Sequence, residues 1–250
     1  MTNNNMYFIA NWKMHGNAKY IERTKVVKKL LRLKKYKNHK IIYCPPFTLL
    51  KEFCDNVKKS NLYIGAQDCH PDADFGPFTG SVNTKLIRST GAKYVIVGHS
   101  EKRKDGDNNN LINKKIKSAL SENLKVIFCV GEKLKEKRKK LTYKILKRQI
   151  NEGLRKIKQN ENIILAYEPV WSIGTGKIPK ISELRININY IRKILKNSNK
   201  SKKIKIIYGG SVNPKNIKQL TEINEIKGFI IGGASLSSKK FIDIIKKSIN

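Results

Sequence analysis

Eight short apolar runs, each stopped by a polar or glycine-bearing corner, constrain this chain more than any other feature. They are Tyr7-Phe8-Ile9-Ala10, Ile41-Ile42-Tyr43-Cys44, Leu62 to Gln67, Tyr94-Val95-Ile96-Val97, Val126 to Val130, Ile163 to Tyr167, Ile204 to Tyr208 and Phe229-Ile230-Ile231. Runs this short and this apolar fit strands buried on both faces. No two-residue turn joins neighbours, so no pair reads as a hairpin. Each intervening segment is long enough for a helix. Alternating strand and helix gives right-handed βαβ units and a parallel sheet. Eight such units predict a closed (β/α)8 barrel with a packed interior rather than an open sheet. The length of 250 residues fits one such barrel, with residues 1–250 as a single domain.

The unusual residues follow the runs directly. Asn11, Lys13, His99, Glu101, Glu168 and Ser211 all do, as do the pairs Gly209-Gly210 and Gly232-Gly233. In a barrel these positions form the carboxyl-end face, where catalysis takes place. One corner stands out. Glu168 ends its run, Pro169 stops further regular structure, and Val170, Trp171, Ile173, Gly174, Thr175 and Gly176 make an apolar, glycine-hinged loop. That pattern suits a general base under a lid that excludes water, or equally a buried strand followed by an ordinary surface loop. The rest of the chain favours the lid.

The glycine pairs lie on the last two strand–loop junctions, a frequent phosphate site in barrels, where bare backbone can present N–H groups to an anion. Gly174-Thr175-Gly176-Lys177 is not a Walker loop, because Trp171 occupies the first glycine position and Ile178 the Ser/Thr position. His99 precedes a short helix expected over Ser100 to Arg103, whose N-terminus favours neutral imidazole. Gly98-His99-Ser100-Glu101-Lys102 lacks the last glycine of a nucleophile elbow. His99-Ser100-Glu101 lacks the P-C-x-x-C partner of a zinc deaminase. His15, His39 and His70 have no metal-ligand spacing, so no metal site and no cofactor are expected. One carboxylate, one histidine, one lysine and one asparagine beside a phosphate cradle suit proton abstraction next to a carbonyl.

Charge needs separate treatment. Lys and Arg number 53 against 19 Asp and Glu, a formal net charge of +34. Nucleic-acid or acidic-surface binding is one reading. A codon bias toward Lys, Asn and Ile is the favoured one, because the lysines are spread along the chain and no RNA-binding or zinc-finger motif accompanies them. The lysine-rich run from Lys133 to Lys140 reads as a solvated helix face. Cys44, Cys54, Cys69 and Cys129 include no C-x-x-C pair and read as reduced, packed thiols. No run is long enough to span a membrane, and Met1 to Met6 show no signal-peptide pattern. A cytoplasmic protein is the expectation.

Taken together, the motifs resemble those of triosephosphate isomerases over essentially the whole length. They are Asn11-Trp12-Lys13-Met14, Gly65-Ala66-Gln67, Phe78-Thr79-Gly80, Val97 to Glu101, Ala166 to Gly176, Tyr208 to Val212 and Gly232 to Leu236. The resemblance implies interconversion of dihydroxyacetone phosphate and glyceraldehyde 3-phosphate, in glycolysis and gluconeogenesis, without a cofactor. It implies Glu168 as the base, His99 as a neutral proton shuttle, Lys13 and Asn11 at the oxyanion, and Glu101 beside Lys13. It implies phosphate N–H donors at Gly174, Ser211 and Gly233, with Gly232 beside them. Ile173 and Ile230 would pack over Glu168. The loop from Asp68 to Ser81 resembles an arm that enters a partner subunit with Phe78 and Thr79, so a homodimer is implied. The runner-up reading is a basic, nucleic-acid-binding barrel with weak activity, and a third is another phosphate-handling barrel enzyme; the intact Glu168, His99 and Lys13 set argues against both.

Some positions depart from the family pattern. Ser81 and Lys102 stand where a glutamate and an arginine usually meet across the interface. Lys227 stands where an aspartate usually opposes Arg192. The acid after the His99 segment is reduced to Asp107 or replaced by Asn108, and Ile181 replaces a proline. Pro179 stands where a backbone N–H usually reaches the Tyr208 hydroxyl, and proline has none. The lid is therefore expected to close without Tyr208.

Overall fold

The computed structural model describes residues 5–58, 60–158, 160–197 and 204–249. Residues 1–4, part of the segment read for a signal peptide, lie outside the described residues. The eight runs form the strands β1 (Tyr7–Asn11), β2 (Lys40–Cys44), β3 (Leu62–Ala66), β4 (Tyr94–Val97), β5 (Lys125–Val130), β6 (Ile163–Tyr167), β7 (Lys205–Tyr208) and β8 (Ile226–Ile231). They pair in chain order as a closed barrel. Every pairing is parallel, and β8 returns to β1 with Phe8 opposite Phe229 and Ile9 opposite Ile230.

Strand side chains alternate between faces with period two, and the core divides accordingly. Ile9, Ile42, Cys44, Ile96, Ile127, Ile164, Ala166, Ile207 and Ile230 belong to a small cluster that fills the barrel. Their sequence neighbours, such as Phe8, Tyr43, Val95, Phe128, Leu165, Tyr208 and Phe229, join the larger core beneath the helices. The outer layer contains α1 (Glu22–Leu31), α2 (Leu50–Val57), α3 (Thr84–Ser89), α4 (Ser100–Lys104), α5 (Asn109–Ser121), α6 (Leu134–Arg138), α7 (Thr142–Gly153), α8 (Ile181–Asn197), α9 (Ile217–Thr221) and α10 (Ser238–Lys247). Capping side chains start several of these helices. Asn83 accepts from the Leu86 N–H at 2.8 Å, Asn108 from Leu111 at 2.9 Å, and Ser237 from Lys240 at 3.3 Å.

Three of the expected departures resolve here. Asp107 is the acid after the His99 segment: with Asp68 it holds Lys115, at 2.8 and 2.9 Å, while Asn108 caps α5. Lys227 and Arg192 are both cationic, and each charge is satisfied separately. The Lys227 ammonium donates to the Asn224 carbonyl at 2.7 Å, and Glu225 supplies the negative charge that acts on Arg192. Lys102 turns to Asp105 at 3.2 Å, within its own chain. All four cysteines are free and buried. No helix of the described residues is long and apolar enough to cross a membrane.

Candidate active site

The inward parity of each strand, carried one step past its end, builds the site. In β6, Ile164 and Ala166 point inward, so Glu168 is the next inward side chain and is buried at the barrel mouth. In β1, Ile9 points inward and Asn11 follows it. Lys13 comes next, with φ of 54°. A non-glycine residue in this left-handed region costs about 1–2 kcal/mol. Two side chains hold it there: the Lys13 N–H donates to Asn11 Oδ1 at 3.2 Å, and Gln67 Nε2 donates to the Lys13 carbonyl at 2.8 Å. Gln67 also donates to the Cys44 carbonyl at 2.8 Å, tying the ends of β1, β2 and β3 together. In β4, Gly98 at φ +76° resets the alternation and turns the buried His99 into the same mouth.

These residues converge. His99 Nε2 lies 3.9 Å from Glu168 Oε1. His99 Nδ1 accepts the Glu101 N–H of α4 at 3.3 Å, so the imidazole proton sits on Nε2, facing the carboxylate. Lys13 Nζ lies 2.6 Å from Glu101 Oε1. Arg103 braces the corner from behind. It donates to the Gly98 carbonyl at 2.8 Å, to Asn109 at 2.7 Å and to the Cys129 carbonyl at 3.1 Å. Burial lowers its guanidinium pKa to about 10.

Burial also pushes the Glu168 carboxyl above the usual carboxylate range, against the lowering effect of His99, the Cys129 thiol and Lys13. Its Oε2 has no hydrogen-bond partner. Gly209 makes room for it: a Cβ there would lie 2.6 Å from Glu168 Cγ and 2.4 Å from Ile230 Cγ2. A cleft of about 660 Å³ opens over these groups, lined by Asn11, Lys13, His99, Glu168, Ile173, Gly174, Ser211, Ile230, Gly232 and Gly233, among others. Among the described residues, Glu168 is the only acid in the lining. Gly233 has open space where a side chain would be, as do Gly174 (φ +72°) and Gly176 (φ +76°).

Of the segment from Pro169 to Lys177, Ile173 and Gly174 line the cleft. Val170 to Ser172 form a single 3-10 turn. Trp171 donates its indole N–H to Glu132 at 2.9 Å, and the Tyr167 hydroxyl meets the same carboxylate at 3.2 Å. Lys137 stacks on the Trp171 ring at 3.8 Å. Thr175 Oγ1 donates to the Ser172 carbonyl at 3.2 Å and accepts the Lys177 N–H at 3.2 Å. The Tyr208 hydroxyl does have a partner in this segment, contrary to the reading from Pro179. It meets Ser172 Oγ at 3.2 Å, a side chain rather than a hinge N–H.

Every residue expected at the catalytic and phosphate positions lines this cleft except Glu101, which reaches it through Lys13. Phe78 and Thr79 lie apart, on the loop between β3 and α3, where the Phe78 ring packs at a tilt against His70, 4.3 Å between centroids, and remains half exposed. The sequence reading gave no role to Gln67, Arg103, Glu132 or Ser172. Gln67 and Glu132 directly follow, or nearly follow, a strand, and that was the available signal; Arg103 lies within α4. Ser172 carried none.

Fold and site together define a (β/α)8-barrel enzyme class with one desolvated carboxylate, Glu168, beside His99 and Lys13 at the mouth of a cleft whose other charged side chains are cationic. The family model for triosephosphate isomerase matches residues 6–248. A triosephosphate isomerase of Endomicrobium trichonymphae is 40% identical over 245 residues, covering 96% of this chain and 97% of that one. One from Carboxydothermus hydrogenoformans is 40% identical over 250 residues, covering 97% and 98%. A crystal structure of triosephosphate isomerase from Bartonella henselae superposes with a TM-score of 0.88 at 30% identity, covering 97% of this chain and 98% of that one. The chain belongs to the triosephosphate isomerase family.

Proposed function

We propose that this chain interconverts dihydroxyacetone phosphate and glyceraldehyde 3-phosphate, as a glycolytic and gluconeogenic isomerase, with Glu168 as the base. Glu168 removes a proton from the carbon next to the carbonyl and returns it to the neighbouring carbon. The protonated Nε2 of His99 donates to the carbonyl oxygen and moves a proton between the two oxygens. Lys13 and the amide of Asn11 stabilise the enediolate oxyanion, and Glu101 steadies the ammonium of Lys13. The phosphate rests on the N–H groups of Gly174, Ser211 and Gly233, beside Gly232. Pro169, Val170, Trp171, Ile173, Thr175 and Gly176 form the lid, and Ile173 with Ile230 dries the carboxylate as it closes.

The observation that carries this reading is a buried carboxylate with one unpartnered oxygen, 3.9 Å from a histidine nitrogen, at the bottom of a cleft with no other acid. In the same reading residues 1–250 form one domain and the working unit is a cytoplasmic homodimer. Met14, Phe75 and Phe78 are the exposed apolar groups that suit a second copy, at 94%, 73% and 44% exposure. Thr79 then approaches the partner's site. A coupled isomerase assay on purified protein tests the proposal. Turnover of both triose phosphates is expected, and a folded protein inert toward both would overturn it.

A further inference from the structure

Ser172 lies in the lid yet is fully buried. Its hydroxyl meets three separate pieces of the site. It donates to the Lys177 carbonyl at 2.7 Å, at the far end of the lid. It meets the Tyr208 hydroxyl at 3.2 Å, at the end of β7. It accepts the Ser211 N–H at 3.5 Å, on the loop that lines the cleft. A serine hydroxyl has one proton and two lone pairs. With its proton on Lys177, both lone pairs are acceptors, so Tyr208 donates and Ser211 donates. Burial keeps Tyr208 protonated for that role, its pKa pushed up to about 12. The hydroxyl is then saturated. Gly210 permits the close approach: a Cβ there would lie 2.1 Å from the Tyr208 hydroxyl and 2.7 Å from Ser172 Oγ.

The Ser211 N–H is one of the donors assigned above to the substrate phosphate, and a single N–H cannot serve two acceptors well. An anion in the cradle takes it at full strength and releases the long 3.5 Å bond to Ser172. The same Ser172 hydroxyl also links both ends of the lid, through its own backbone and through Lys177. We propose that Ser172 is a positioning residue that couples phosphate occupancy of the Ser211 cradle to the position of the lid. The proposal rests on the isomerase reading for the identity of the anion, and its test separates the two.

The probe is inorganic phosphate. Three quantities are measured in the unsubstituted chain and in Ser172→Ala: the inhibition constant for phosphate, phosphate-dependent hydrogen-exchange protection across residues 170–177, and turnover with its by-product, phosphate eliminated from the exposed enediolate. In Ser172→Ala we expect phosphate binding within about threefold and loss of the phosphate-dependent lid protection. We expect turnover to fall about five- to tenfold, the worth of one hydrogen bond, and the eliminated phosphate per turnover to rise. Tyr208→Phe should behave alike, and the double substitution should cost little more than either alone.

Retained lid protection overturns the proposal, whether or not turnover falls, because the hydroxyl then serves packing alone. Loss of phosphate binding itself also overturns it, since Ser172 would then belong to the cradle. Should Ser172→Ala fail to fold, Ser172→Cys, of similar size but a weak hydrogen-bond partner, is held to the same outcomes. A chain without isomerase activity would sink the functional reading, yet the exchange measurement would still decide the coupling.

Discussion

Glu168 sets the behaviour of the site at the residue scale. Its carboxyl is held above the usual range, chiefly by burial. The acid limb of kcat/KM should therefore fall at a pH above about 4.3, the ordinary glutamate value. A pH–rate profile checks this, and a limb at or below that value would count against a desolvated base. Stability should run the opposite way. A carboxyl with a raised folded-state pKa gives its full stabilisation below the unfolded value and loses it as pH rises through the folded value. At neutral pH the ionised Glu168 thus costs stability. Glu168→Gln should melt higher than the unsubstituted chain at pH 7, and the difference should shrink in acid. The residue's position was legible in the sequence, because a carboxylate one step past a buried run must follow the strand's parity. The strain at Lys13 was not, since a lysine at φ 54° has no composition signal and depends on Gln67, just past the end of β3.

At the scale of elements, the strand ends decide how the chemical groups meet. The barrel and its strand order follow from eight apolar runs with helix-length spacers, so they were readable in advance. What was not readable is how side chains from distant segments brace the corners. Gly209 is one such contact. Gly209→Ala would put a methyl within 2.6 Å of Glu168 Cγ and 2.4 Å of Ile230. It should displace Glu168 and, with Glu168 as the proposed base, lower kcat by about tenfold or more while leaving the secondary structure intact by circular dichroism. The Lys115 cluster is another. Lys115 on α5 joins Asp68, at the root of the arm, to Asp107, after α4. Lys115→Met leaves two partly buried carboxylates facing each other, and chemical denaturation should show a loss of about 3–5 kcal/mol. A loss near zero would show that water screens the cluster. Sequence reading could not distinguish Asp107 from Asn108 in this role, because the choice depends on α5 turning Lys115 toward the arm.

For the whole molecule, charge dominates. Each chain has +34. Ser81 offers no carboxylate to a partner, and Lys102 is paired within its own chain. In the homodimer reading, two strongly cationic bodies meet through an arm that carries exposed Phe75 and Phe78. Screening shortens repulsion to about 10 Å at 0.1 M salt. Dimerisation and melting temperature should therefore both rise from low to moderate salt. Sedimentation and melting across a salt series check this, and dimers that weaken as salt rises would point to attractive pairs between subunits. The net charge was plain in the sequence. Its consequence for Arg192 was not, because Glu225, rather than the residue at position 227, supplies a negative charge that acts on Arg192.

The central claim is that a single carboxylate, Glu168, carries the proton between two carbons of a triose phosphate. The most direct test follows solvent deuterium into product during conversion of dihydroxyacetone phosphate in heavy water, comparing the unsubstituted chain with Glu168→Gln. The intact enzyme should place deuterium on the carbon that receives the proton, and Glu168→Gln should lose turnover by about 10² to 10⁴ or more while still binding inorganic phosphate. Near-full turnover with deuterium incorporation in Glu168→Gln would contradict the account.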